Sequence, residues 1–83
     1  MYQLTGKGQE QLDLLYEGNM ILTEPEYSVL QAAKEGATLE DLIVAARFYK
    51  GLGTKSLGLR RSQPLEKAVR TVGKVLVRGL VEG

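Results

Sequence analysis

Lys67, Arg70, Thr71, Lys74 and Arg78 recur at spacings of three and four within SQPLEKAVRTVGKVLVRGLVE, residues 62–82. On a helix, that spacing gathers them on one face. Cations aligned in this way, with a hydroxyl among them, suit contact with a polyanion such as a nucleic-acid backbone. The plainer alternative is that they solvate the outer side of a core helix. The helix that must position them is also written here. Ser62 is placed to cap it and Pro64 falls in its first turn. Leu65, Ala68, Val69, Val72, Leu76 and Leu80 then follow the helical period and predict an apolar stripe behind the cations.

A second group of cations precedes this helix. KGLGTKSLGLRRSQ, residues 50–63, holds Lys50, Lys55, Arg60 and Arg61 among three glycines and shows no helical period. It reads as an irregular basic loop, either contacting phosphates through its cations and amides or serving as a connector. GLGTKS is not a phosphate-binding P-loop, which needs glycine directly before the lysine and another five residues earlier. Thr54 and Tyr49 occupy those positions.

Charge separates along the chain although the net charge is only +1. Residues 1–46 carry two cations against eight carboxylates (−6), and residues 47–83 carry nine cations against two carboxylates (+7). That polarity suits an acidic scaffold with a basic working surface, or two halves that attract one another within one chain or between copies. Cysteine and histidine are both absent. Thiol nucleophiles, disulfides, zinc-finger ligation and His-based catalysis are therefore excluded, and no constellation points to an enzyme or to a bound cofactor or metal.

Eighty-three residues suit one small domain spanning 1–83. No apolar run approaches the roughly 20 residues of a membrane-spanning helix. The N-terminal MYQLTGKGQEQL lacks an apolar leader core, so a cytoplasmic protein with no membrane partner is expected.

Three threonines mark three earlier helices. Thr5 precedes a helix over about 6–17, in which Leu12, Leu15 and Tyr16 should face inward. Asn19 to Leu22 forms a short link, as a strand or a bend. Thr23-Glu24-Pro25-Glu26 joins a capping box to an early proline. The second helix buries Val29, Leu30 and Ala33 and stops at Gly36. Thr38 starts a third, with Leu39, Leu42, Ile43 and Ala46 on one face and a sharp turn behind it. The fold class expected is mainly α, with four helices in a winged-helix-like helix-turn-helix arrangement and at most a two- or three-stranded sheet.

Val77-Arg78-Gly79-Leu80-Val81-Glu82 resembles the exit of the recognition helix in winged-helix regulators of the MarR and PadR kind, where such a segment leads into the wing. Tyr2-Gln3-Leu4-Thr5-Gly6-Lys7-Gly8 resembles the strand that leaves the wing in the same families. The two segments occur here in reversed chain order, so Tyr2 to Leu4 is expected to pair with Leu80 to Glu82. Leu22, Thr23, Glu26, Val29, Leu30, Glu35, Gly36 and Thr38 are similar to the opening of LuxR-type helix-turn-helix domains.

The resemblance implies a DNA-binding domain of a transcription regulator, with the helix at 64–78 in the major groove. Lys67, Arg70 and Thr71 would lie nearest base edges, and Lys74 and Arg78 on phosphates. Lys50, Lys55, Arg60 and Arg61 would add backbone contacts from the loop. Double-stranded DNA is the expected partner and a homodimer the expected assembly. The competing expectation is a winged-helix module for protein contacts, with no nucleic acid involved. RNA binding ranks third, because Phe48, Tyr49 and three further tyrosines are not interleaved with the cations.

Overall fold

A computed structural model of the chain describes residues 1–52 and 58–83. The elements in order are β1 (Gln3–Leu4), α1 (Gly6–Tyr16), α2 (Glu24–Ala33), α3 (Leu39–Arg47), β2 (Phe48–Lys50), β3 (Arg60–Ser62), α4 (Leu65–Val77) and β4 (Val81–Glu82). The fold is mainly α with minimal sheet. Each of the first three helices starts at a threonine, and the Thr5 and Thr38 side chains satisfy otherwise orphaned backbone amides. Thr5 Oγ1 accepts from Gly8 N at 3.1 Å and donates to Gly79 O at 2.5 Å. Thr23 N and Oγ1 both donate to Glu26 Oε1. Thr38 and Asp41 exchange reciprocal bonds of 3.1 Å. Between α2 and α3 the chain reverses through Gly36, whose φ of +88° lies in the left-handed region open to glycine.

The pairing of the two chain ends follows the expectation. β1 and β4 run antiparallel with Gln3 opposite Glu82 and Leu4 opposite Val81. Thr5 N donates to Leu80 O at 3.0 Å and extends the ladder. Tyr2 pairs with Ala37 in an isolated bridge on the other edge of β1, through bonds of 2.7 and 2.9 Å. β1 therefore lies between the α2–α3 turn and the segment leaving α4.

The described ends of the 50–63 segment depart from the irregular loop expected there. β2 and β3 form an antiparallel ribbon with Phe48, Tyr49 and Lys50 opposite Ser62, Arg61 and Arg60. Gly51 N donates to Leu59 O and Gln63 N to Arg47 O, so pairing continues beyond both ends of the ribbon. Lys55 lies outside the described residues. Ser62 belongs to this ladder and does not cap α4, whose N-cap is Pro64 itself, still extended at ψ 153°.

One core joins all four helices. Leu12, Tyr27, Leu30, Leu42, Ala68 and Val75 are among its fully buried members. Tyr16 and Leu39, expected inside, are largely exposed, whereas Tyr27 is sealed in. Its hydroxyl accepts from Ile21 N at 2.8 Å and Leu22 N at 3.0 Å and thereby fixes the 19–22 link, which forms a bend and not a strand. Tyr27→Phe removes that acceptor from two amides at almost constant volume. We expect a loss of about 1–3 kcal/mol, measured by urea unfolding, with the fold retained.

Candidate nucleic-acid interface

The orientation of α4 decides which of its side chains reach solvent. The buried face comprises Ala68, Thr71, Val72 and Val75, while Leu65 and Val69 stand about half exposed. The apolar face is thus rotated towards the cation side relative to the expected stripe. Thr71, read as a base-contacting hydroxyl, is only 9% exposed. Its Oγ1 donates to Lys67 O at 2.9 Å and accepts from Gln63 Nε2 at 3.2 Å. Gln63 Nε2 also donates to Ala46 O at 2.7 Å. Together Gln63 and Thr71 tie the exit of the ribbon and the end of α3 to α4, so Thr71 supports the surface from behind.

Lys67, Arg70 and Lys74 remain exposed on the outer side of α4. Arg70 Nη2 lies 2.8 Å from Glu66 Oε1, one turn away, with both side chains mostly in solvent. An exposed pair of this kind contributes little and yields to a stronger anion. Lys67 and Lys74 have no ion-pair partner among the described residues. Seven residues separate them, about 10 Å along the helix axis. They border a shallow groove of about 310 Å³, whose other wall is the first turn of α2 with Thr23, Pro25 and Glu26.

Arg78 is committed elsewhere. Its Nη1 lies 3.4 Å from Glu26 Oε2, and Glu26 is 6% exposed. A carboxylate so buried needs a compensating charge, and Arg78 supplies it across the first turn of α2. Arg78→Ala should therefore act mainly on stability. We expect a loss of about 1–2 kcal/mol by thermal melting, discounted because the guanidinium is half in solvent.

Comparisons of the chain with protein-family models, with characterised proteins and with solved structures return no match.

The ribbon divides its cations. Arg61 turns towards α2, with Nη1 3.9 Å from Glu24 Oε1, while Leu52 N donates to Glu24 Oε2. Glu24 thereby holds the ribbon to α2. Lys50 and Arg60 are exposed and directly opposite one another. Beside them the Arg47 guanidinium carbon lies 5.2 Å from the centroid of the Phe48 ring. Among the described residues, no group of three or more carboxylates stands ready to hold a metal ion, and no helix is long and apolar enough to cross a membrane.

The candidate residues therefore separate into three sets. Lys67, Arg70 and Lys74 share one exposed helix face, and Lys50 and Arg60 share one end of the ribbon. Thr71, Arg78 and Arg61 serve the scaffold. Two scaffold residues were not anticipated: Gln63, whose bonds span three elements, and Glu26 as the partner of Arg78. A box glutamate signals its local cap, but nothing in the chain signals a partner 52 positions away.

Proposed function

We propose that this chain is a cytoplasmic DNA-binding domain of a transcription regulator, winged-helix-like in its arrangement, that presents α4 to duplex DNA. The observation that carries the reading is the exposed cationic face of α4, on which Lys67 and Lys74 lack an anionic partner among the described residues. Lys67 and Arg70, near the start of α4, approach base edges, and Lys74 takes a phosphate. Lys50 and Arg60 contribute backbone contacts from the ribbon. The position of β1 between Ala37 and β4 supports the winged-helix reading. It brings together, across the two chain ends, the segments that resemble the two sides of a wing. A homodimer is part of the proposal, since two copies of α4 would read half-sites about one helical turn apart.

Fluorescence anisotropy of a labelled mixed-sequence duplex tests the reading. Binding at low salt that weakens log-linearly as salt rises is expected, because phosphate neutralisation releases counterions. Absence of binding at low salt overturns it.

One observation favours a second reading, a protein-contact module. Val77 is 88% exposed and Leu65 and Val69 about half exposed, so α4 also offers apolar surface. That reading expects no affinity for nucleic acid at any salt concentration.

A further inference from the structure

A second concavity lies away from α4. It is a groove of about 750 Å³ between α2 and the β2–β3 ribbon, within the range of small-molecule sites. Its α2 wall presents Ser28 and Gln31, one turn apart, beside Glu24, whose carboxylate is already engaged by Leu52 N and Arg61, and its ribbon wall presents Phe48, Tyr49, Lys50 and Arg60. Phe48 keeps 56% of its surface in solvent although it is the only phenylalanine in the chain. Lys50 and Arg60 are direct cross-strand partners of like charge, an arrangement that costs stability unless an anion lies between them. Neither has an acidic partner among the described residues.

We infer that this groove binds a nucleoside phosphate, with its base against Phe48 and its phosphate between Lys50 and Arg60, all three on one face of the ribbon. The Phe48 ring provides a stacking surface that tolerates any base. The two facing cations match a phosphate in charge. Gln31, an exposed amide, offers both a donor and an acceptor to the edge of the base. The Ser28 hydroxyl already donates to Ala45 O at 2.6 Å, so it meets the ligand only as an acceptor. A free nucleotide and an unpaired nucleotide within a strand share this chemistry. The inference does not depend on duplex binding by α4.

Adenosine 5′-monophosphate titrated into the 15N-labelled protein tests it. Saturable amide shifts should centre on Ser28, Gln31, Phe48–Lys50 and Arg60–Ser62. Phe48→Ala and Phe48→Leu should each weaken binding roughly tenfold, since both remove the stacking ring and the second keeps its apolar bulk. Adenosine alone and inorganic phosphate alone should each bind more weakly than the monophosphate. A five-residue oligodeoxyadenylate distinguishes the sources: equal affinity identifies the free nucleotide, and clearly tighter binding identifies a strand. The inference is overturned if the monophosphate gives no saturable shifts, if Phe48→Leu binds it as the wild type does, or if phosphate alone binds equally well.

Discussion

Replacing Lys67 and Lys74 together by alanine should weaken duplex binding about thirtyfold at 0.15 M salt and about two-hundredfold at 0.05 M. Each lysine that neutralises a phosphate contributes about 0.9 to the slope of log affinity against log salt, so the pair should lower that slope by roughly 2. Both curves should converge towards 1 M salt, where the released counterions no longer gain entropy. Stability should be little altered, because the two side chains are exposed and form no ion pair with the described residues. Anisotropy titrations at several salt concentrations read both quantities. An affinity loss that does not change with salt would assign the lysines a role other than phosphate contact.

Gly8→Ala should destabilise the fold. In most helices that substitution gains up to about 1 kcal/mol, so its expected sign here is reversed by packing. A methyl group at position 8 would overlap the carbonyl oxygen of Leu80 and lie 2.6 Å from Leu4 Cδ1. The Leu80 backbone cannot retreat cheaply, because its carbonyl accepts from Thr5 N and its amide donates to Val75 O at 3.1 Å. α1 would have to lift from the β1–β4 pair. We expect a net loss of about 1–3 kcal/mol and a fall in Tm of roughly 5–20 °C. Gly6→Ala, two residues earlier, meets no atom within 4 Å and should be neutral or slightly stabilising. Parallel thermal melts of the two variants test the packing argument through their opposite signs.

What the sequence reveals of this fold is mostly its local chemistry. Thr5 and Thr38 mark helix starts because each side chain accepts from the backbone amide three residues on, and Thr23 marks one through Glu26, whose carboxylate accepts from the Thr23 amide. Gly36 marks a stop because only a left-handed residue closes that turn. The β1–β4 pairing is also legible, through the likeness of the two chain ends to the paired strands of a wing. The β2–β3 ribbon is not. Arg60, Arg61 and Ser62 bury nothing, so their strand leaves no hydrophobic period and depends on backbone pairing with Phe48 to Lys50.

The face of α4 was ambiguous for a different reason. Leu65, Val69 and Leu76 define one apolar stripe, and Ala68, Val72 and Val75 define another about a fifth of a turn away. Packing against α3 selects the second, which draws Thr71 inward and leaves Lys67, Arg70 and Lys74 outside. The candidate site was therefore legible as a cationic helix, but not as the particular subset of its residues that is free to act. Arg78 shows why. Its spacing puts it with the cations, and only the fold brings it to the buried Glu26.

The most direct test of α4 as the DNA surface is an amide shift map of the 15N-labelled protein titrated with a short mixed-sequence duplex at low salt. The largest shifts are expected over residues 64–77, with smaller ones at Lys50 and Arg60. Shifts confined to α1, the 19–22 link or the acidic start of α3, with α4 unmoved at saturation, would contradict that assignment.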